Sequence, residues 1–270
     1  MVSSPRLGKS TPLLIEFANV TVVKGETRVL DGITLSVPED ENIAILGPNG
    51  AGKSSLVKAI TREYYPVPSV TPVTFRVHGR DTWDVFSLRS TIGIVSNDLQ
   101  YTFTRTITGR DVILSGFFSS IGLFNHVITR EMEEKTDSIM QFLGIGHLAN
   151  RPFNAMSSGE ARRFLIGRAL VFDPATLILD EPTNSLDLEA LHAFRKVLRT
   201  IAQSGTSIIL VTHNLHDIIP EIQRIVMIRD GRICGDGGKE EMLTDTAISR
   251  LFAVPVHVVR ENGWYYATGY

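Results

Sequence analysis

The sequence predicts an α/β fold, in which helices flank a mainly parallel sheet and an antiparallel β layer opens the chain. Three observations favour this class. A short apolar segment runs into a glycine-rich loop and a helical segment, two later apolar segments end in polar residues, and residues 13–37 are rich in apolar and β-branched side chains. Parallel sheets bind ligands beyond the carboxyl ends of their strands, so the pattern also predicts where a site would lie.

Length and composition exclude several classes of protein. The 270 residues, 43% of them apolar and 21% charged, suffice to bury a full globular core. A net charge of −2 lacks the basic excess expected of a duplex-binding protein. The single cysteine, Cys234, fits a reducing cytosol. No apolar run reaches the ~18 residues of a membrane-spanning helix, and residues 1–12 are expected to form a flexible tail without a signal peptide.

The first elements in the chain are predicted strands. Residues 13–23 and 33–37 form the antiparallel layer, separated by a turn at residues 25–26. Residues 42–46 form a short buried strand, and residues 53–63 have the character of the helix that follows the glycine loop. Strand, glycine loop and helix in this order provide the context that a phosphate-binding loop requires.

The loop between that strand and that helix matches a phosphate-binding pattern. Residues 47–54, Gly-Pro-Asn-Gly-Ala-Gly-Lys-Ser, fit G-x-x-x-x-G-K-[ST] at every defined position. Lys53 is expected to reach the β- and γ-phosphate oxygens at the positive end of the helix, and Ser54 to offer its hydroxyl to Mg²⁺. The predicted nucleotide-binding residues of this loop are Gly47, Pro48, Asn49, Gly50, Ala51, Gly52, Lys53, Ser54 and Ser55.

Two later apolar strands place polar residues at the same edge of the sheet. Residues 175–179 are followed by Asp180, which is expected in the magnesium shell, and by Glu181, which is expected to polarise the attacking water. Residues 207–211 form a third such strand and are followed, after one threonine, by His213. A lone histidine at this place has either a structural or a catalytic role.

Two helices are predicted between the glycine loop and the second apolar strand. In residues 132–143, apolar side chains recur at helical spacing and acids occupy the first turn. Further on, Ser157 and Glu160 have the spacing of a capping box, and this helix is expected to continue through Ala169. Capping boxes are common, so this spacing alone indicates only a well-capped helix.

These segments, in this order, resemble the motifs of ATP-binding-cassette (ABC) ATPases, which have a P-loop NTPase core. Residues 47–54 are similar to the Walker A loop, residues 157–160 to the signature segment, residues 177–181 to the Walker B strand, residues 185–187 to the D-loop and His213 to the switch histidine. The resemblance covers nearly the whole chain and implies an ATPase that uses ATP and Mg²⁺.

The resemblance also implies a division of the chain. Residues 13–97 and 157–235 would form the RecA-like catalytic core with its antiparallel layer, and residues 98–156 a helical lobe. Residues 236–270 would form an extension made of a helix and a β-hairpin, since Asn-Gly within residues 261–263 lies between two β-rich runs.

For the active site, the resemblance implies a head-to-tail homodimer with two ATP molecules at its interface. Each ATP would be held by the Walker A loop of one copy and by Ser157 and Gly159 of the other. Asp187 would communicate between the two sites. The catalytic residues implied in this way are Lys53, Glu181 and His213.

Some positions depart from the family pattern. Asn97 stands where the family usually has the glutamine that joins its two lobes, and Gln100 follows, so either amide could reach Mg²⁺ or its water. The aromatic residue that commonly stacks on adenine would fall near Val23 or Lys24, and neither is aromatic. The predicted metal-binding residues are Ser54, Asp180, Asn97 and Gln100.

As a cellular role, the resemblance implies the ATP-hydrolysing subunit of a transporter, with an importer favoured. It would lie on the cytoplasmic face of the membrane beneath separate integral membrane permease subunits, with an extracytoplasmic substrate-binding protein as a further partner. Residues 101–118, which contain Phe103, Phe117 and Phe118, are the candidate surface for the permease, with buried packing as the alternative for these rings.

The other functional class considered is a soluble cassette ATPase acting on ribosomes or nucleic acid. Such proteins usually carry two cassettes or a long coiled coil, and this chain has one cassette without sustained heptads.

Two sub-family resemblances compete. Residues 82–85 and 112–124 resemble the ModF-type cassettes associated with molybdate uptake, whereas residues 251–256 resemble iron-siderophore and cobalamin importer cassettes. We favour the ModF-like resemblance, and neither one identifies a substrate.

Overall fold

The chain opens with a three-stranded antiparallel layer. The computed structural model describes residues 12–96, 99, 102–103 and 107–269. Strand β1 (Leu13–Lys24) pairs with β2 (Thr27–Pro38) on one side and with β4 (Thr74–Val77) on the other. The predicted strand at residues 13–23 is confirmed, and β2 starts earlier than residue 33 because its pairing with β1 continues up to the turn.

The central sheet has six strands in the order β5-β6-β7-β3-β8-β9. Its first five members in this order run parallel, and β9 runs antiparallel to β8. This arrangement confirms the predicted mainly parallel sheet. The strands are β3 (Ile43–Leu46), β5 (Ile92–Ser96), β6 (Thr176–Asp180), β7 (Ser207–Thr212), β8 (Arg224–Arg229) and β9 (Arg232–Gly238).

Apolar cores cover both faces of this sheet. In β3, Ile43 and Ile45 belong to the core shared with the antiparallel layer, whereas Ala44 and Leu46 belong to the core shared with the helical part of the chain. Side chains of a strand alternate between the two faces, so a strand covered on both sides is apolar throughout. The continuous apolar runs in the sequence are explained by this burial.

Helix α1 (Lys53–Ile60) follows the glycine loop and is shorter than predicted. The sequence suggested a helix to residue 63, but Arg62 has a left-handed backbone with φ 63°. Its buried guanidinium donates hydrogen bonds to the carbonyl oxygens of Phe75 and Arg80, each at 3.0 Å. These tertiary contacts end the helix where local propensity would have extended it.

The helical part of the chain packs on one face of the sheet. After α2 (Val85–Thr91), helices α3 (Gly109–Leu114), α4 (Arg130–Phe142) and α5 (Ser158–Ala169) contact one another. Helices α4 and α5 confirm the two predicted from residues 132–143 and from the Ser157 capping box. Phe103 is only 5% exposed and packs edge-to-face on another phenylalanine of this core, so its ring is not part of a surface.

The C-terminal part forms two short helices and a hairpin. Helix α6 (Leu188–Gln203) precedes β7, and α7 (Lys239–Met242) and α8 (Asp245–Phe252) follow β9. Strands β10 (His257–Glu261) and β11 (Trp264–Thr268) then pair across the predicted Asn-Gly turn. Within the residues that the structure describes, no helix has the length and apolar character needed to cross a bilayer.

Candidate active site

A cleft of about 480 Å³ lies at the carboxyl end of β3. The glycine loop and the start of α1 form its floor, and Glu181 closes one side. Residues 27–29 of β2 and the turn at residues 230–231 form the opposite wall. Nucleotide-sized ligands bind in clefts of a few hundred Å³, and this cleft lies where the sequence predicted a phosphate site.

The glycine loop requires its small residues for close packing. Gly52, the residue before α1, has φ 102°, and a Cβ there would lie 2.7 Å from the carbonyl oxygen of Val29. Lys53 is 5% exposed, and its Nζ donates to the carbonyl oxygens of Gly47 at 2.8 Å and Pro48 at 3.0 Å. The loop therefore directs a buried ammonium group towards the position that phosphate oxygens would occupy.

Glu181 connects the loop to the neighbouring strands. Its Oε1 lies 3.0 Å from Lys53 Nζ, and its Oε2 lies 2.6 Å from His213 Nδ1. The residue has a left-handed backbone with φ 50°, and its N–H donates to the carbonyl oxygen of Val211 at 2.8 Å. This backbone conformation is uncommon for a residue with a side chain, and such strain concentrates at active sites.

The contacts of Glu181 change the acidity of both partners. Burial raises the pKa of the Glu181 carboxyl, but hydrogen bonds from His213 and Lys53 outweigh this effect and leave the pKa below its ordinary value. The hydrogen bond to Glu181 raises the pKa of His213 against the opposing effect of burial. The three side chains thus form a charge-paired group at the end of the parallel strands.

The predicted magnesium ligands are placed in part. Ser54 is exposed in the cleft, and Asp180 is the last residue of β6. Asn97 and Gln100 lie outside the described residues. Among the described residues no three acidic, histidine or cysteine side chains form a cluster, but Mg²⁺ beside phosphates needs only one or two protein ligands. The Ser54 hydroxyl in the first turn of α1 and the Asp180 carboxylate at the end of β6 are ligands of the kind that Mg²⁺ takes there.

The signature segment forms a capped helix start away from the cleft. Ser157 Oγ accepts from the Glu160 N–H at 3.2 Å, and Glu160 Oε2 accepts from the Ser157 N–H at 2.8 Å, so the capping box is confirmed. Asp187 caps α6 in a similar way, with Oδ1 accepting from the Ala190 N–H at 2.8 Å. Neither Ser157, Gly159 nor Asp187 lines the cleft of its own chain.

Sequence reasoning missed the outer wall of the cleft. Residues 27–29 and the turn at Asp230 and Gly231 line it, together with the predicted loop. The Asp-Gly pair between two strands was a readable hairpin signal. No local pattern marks Arg28, whose guanidinium is 59% exposed and lies 2.9 Å from Asp31.

Comparison with known sequences extends these observations. A family model described as "ABC transporter" matches residues 30–184. An uncharacterised ABC transporter ATP-binding protein, YlmA, of Bacillus subtilis is 33% identical over 92% of this chain and 94% of its own length. The hemin import ATP-binding protein HmuV of Photobacterium damsela is 28% identical over 95% of each chain. The cobalt import ATP-binding protein CbiO of Rhodobacter capsulatus is 29% identical over 88% of this chain and 82% of its own.

Solved structures agree with the sequence matches. The cbiO1 protein of Clostridium perfringens, described as part of the ABC transporter complex cbiONQ, is 26% identical with a TM-score of 0.71, covering 88% of this chain and 94% of its own. A protein described as a putative metal-chelate type ABC transporter in an inward-facing conformation has a TM-score of 0.76 at 19% identity, covering 94% and 96%, which supports the fold alone. These matches show that the chain belongs to the ABC transporter ATP-binding family and is an ATPase that uses ATP and Mg²⁺.

Proposed function

We propose that this chain powers an importer and that hydrolysis takes place at the Lys53–Glu181–His213 group. The observation that carries this proposal is the position of Glu181, whose two oxygens lie 3.0 Å from Lys53 Nζ and 2.6 Å from His213 Nδ1. Phosphate oxygens at Lys53 would compete with Glu181 for the ammonium group. The freed carboxylate could then accept a proton from the attacking water, while His213 contacts the γ-phosphate.

Ser54 and Asp180 would hold Mg²⁺ in this proposal. The ion would supply positive charge that neutralises the phosphate oxygens during transfer. Lys53 would add a second positive charge, and the N-terminal end of α1 would add the positive end of its helix dipole near the same oxygens. Asn97 or Gln100 remains the proposed further ligand from the loop that joins the two parts of the chain.

The proposal includes a head-to-tail homodimer. Ser157 is exposed at the N-terminus of α5 but lies outside its own cleft, as does Gly159. A helix N-terminus is a favourable place for an anion. We propose that this end of α5 meets the ATP bound to a second copy, so that each site is complete only in the dimer.

A groove beside β5 is the proposed contact for the permease subunits. It has a volume of about 270 Å³ and is lined by Arg89, Arg168 and Phe172, among others. Burial and the nearby Arg89 lower the pKa of Arg168 to about 10.

The rings of Phe117 and Phe118 are partly covered, since the first packs edge-to-face on Phe172 and the second stacks on a histidine ring. The groove includes Thr102 and Gly116 of the predicted segment 101–118, of which residues 101 and 104–106 lie outside the described residues. The proposed docking site therefore keeps part of that segment but not its phenylalanine rings.

The proposed cargo is a metal or a metal chelate. The relatives named for hemin and cobalt import agree with the resemblance of residues 251–256 to iron-siderophore and cobalamin importer cassettes. The ModF-like resemblance of residues 82–85 and 112–124 would instead favour molybdate. In either case we propose attachment to the cytoplasmic face of the membrane and an extracytoplasmic substrate-binding protein as a partner.

Affinity capture from native membranes tests the transporter assignment. The tagged chain should retain a polytopic permease, and Arg89→Glu should lose most of it, because Arg89 is exposed in the groove and the change reverses its charge. The ATP-binding affinity of the variant should stay within about twofold of wild type, since Arg89 lies outside the nucleotide cleft. Recovery of ribosomes or nucleic acid in place of a permease would overturn the proposal.

A further inference from the structure

Asp217 is a buried carboxylate beside the catalytic group. It closes a short 3₁₀ turn, Leu215–Asp217, just after His213, and its side chain is 1% exposed. Among the described residues it is the only acidic side chain that reaches full burial. Burial of a carboxylate is costly unless hydrogen bonds replace those to water, so the contacts of this group need an explanation.

The hydrogen bonds of Asp217 join two catalytic segments. Its Oδ2 accepts from Thr183 Oγ1 at 2.7 Å and from Thr212 Oγ1 at 2.5 Å. Thr183 follows Glu181 by two residues, and Thr212 directly precedes His213. The Thr212 hydroxyl oxygen in turn accepts from the N–H of Asn214 at 3.0 Å, so the hydroxyl groups on both sides of the carboxylate are used.

The basic side chains nearby offer only modest compensation for this buried carboxylate. The nearest basic side chain is His216, whose Nε2 lies 3.4 Å from Asp217 Oδ1 and whose side chain is 40% exposed. Burial lowers the pKa of this imidazole, which disfavours its charged form. Arg195 donates to the carbonyl oxygen of His216 and stacks on the ring of Trp264 at 4.5 Å, which holds the outer side of the same turn. A well-packed apolar residue is often as stabilising as a buried charge, so stability alone gives a weak reason for a carboxylate here.

We propose that Asp217 is a positioning residue for ATP hydrolysis. It joins the loop after β6, which contains Glu181, to the loop after β7, which contains His213, and so holds these two side chains at hydrogen-bonding distance. The inference rests on the catalytic roles proposed for those two residues. Glu181 follows β6 and His213 follows β7, so no short stretch of chain connects their two loops. Misplacement of a catalytic group by about 1 Å can cost on the order of 100-fold in rate, so a tie between the loops has a direct consequence for turnover.

The test compares turnover with nucleotide binding. In Asp217→Ala, kcat per ATP-binding site should fall about 10- to 100-fold, while Kd for ATP changes less than about twofold, because the phosphate loop is untouched. Thr183→Val removes its hydrogen bond to Asp217, and Thr212→Val removes its hydrogen bond to Asp217 together with the one accepted from the Asn214 N–H, both at nearly constant volume. Each should lower kcat about three- to tenfold. These two variants keep the test decisive if Asp217→Ala does not fold.

Two controls separate positioning from general destabilisation. Leu35→Ala removes a buried side chain of β2, far from the tie, and should lower the melting temperature without changing kcat per binding site. In a His213→Ala background, Asp217→Ala should cause little further loss, since its effect acts through the Glu181–His213 pair. Fully additive losses would overturn the inference, as would wild-type kcat in Asp217→Ala and both threonine variants. If His213→Ala and Glu181→Gln themselves kept wild-type kcat, the proposed function would fail first.

Discussion

At the residue scale, the proposed active site is organised around one carboxylate, Glu181, with two hydrogen-bonded partners. Glu181 lies between Lys53, on the side of the glycine loop, and His213, on the other side. We propose that bound ATP and the attacking water would separate Glu181 from these two partners. This arrangement gives a mostly buried carboxylate two hydrogen-bond donors. Under the proposed mechanism, ATP binding would exchange the hydrogen bond between Lys53 and Glu181 for one between Lys53 and phosphate, which limits the free-energy cost of separating the two side chains.

The His213–Glu181 contact should make stability depend on pH. The folded-state pKa of His213 is raised above its ordinary value of 6.5, so the contact contributes fully below about pH 6.5 and is lost as the pH rises through the raised pKa. The difference in unfolding free energy between wild type and His213→Gln should be about 1 kcal/mol larger near pH 6 than near pH 9.

Urea unfolding at several pH values measures this difference directly. His147→Gln serves as the matched control, because His147 is exposed and lies outside the cleft. Its difference from wild type should stay constant over the same range. A constant difference for His213→Gln as well would show that the contact in the folded protein carries no charge pairing.

At the scale of elements, helix α5, which begins at the signature segment, and helix α6, which follows residues 185–187, pack against each other at Gly159. A Cβ added at Gly159 of α5 would lie 2.6 Å from the Cβ of Ala190 in α6, which is closer than carbon atoms approach. The end of α5 proposed to face the partner's ATP is thus seated on the helix that Asp187 caps. A shift of one helix start would displace the other.

The contact at Gly159 predicts a compensating pair of substitutions. Gly159→Ala should destabilise the chain by about 1–3 kcal/mol through overpacking. Ala190→Gly should cost about 1 kcal/mol or less by itself, because it lies in the first turn of α6. The double variant should be more stable than the sum of the two single changes predicts, by at least about 1 kcal/mol. Thermal unfolding of the four proteins checks this, and simple additivity would contradict the packing argument.

The sequence predicted elements better than it predicted contacts between them. The glycine loop, the buried strands and the Ser157 capping box are local patterns, because their residues lie within a few positions of one another. The end of α1 was predicted three residues too late, since Arg62 is held by tertiary hydrogen bonds that leave no local signal. The Asp217 tie was missed for the same reason, because strand order alone brings Thr183 beside Thr212.

At the scale of the whole molecule, the separation of the motifs has a consequence for assembly. Lys53, Ser54 and Glu181 share one cleft, while Ser157 lies elsewhere on the surface of the same chain. A second copy placed head-to-tail would bring the two parts together twice, once at each ATP, as expected of a closed two-fold assembly. ATP would then act as part of the interface, and hydrolysis would weaken it.

Glu181→Gln should trap this assembly. Glutamine keeps the size and hydrogen-bonding capacity of the side chain but cannot accept the proton of the attacking water, so hydrolysis should fall by about 10²- to 10⁴-fold. ATP and Mg²⁺ should therefore shift the variant from a monomer to a dimer in size-exclusion chromatography, whereas wild type would return to the monomer as it turns over. Lys53→Ala is the control, because it removes the buried ammonium group expected to bind phosphate and should stay monomeric. A Glu181→Gln protein that remains monomeric at saturating ATP would rule out the shared site, and undiminished hydrolysis would remove Glu181 from its catalytic role.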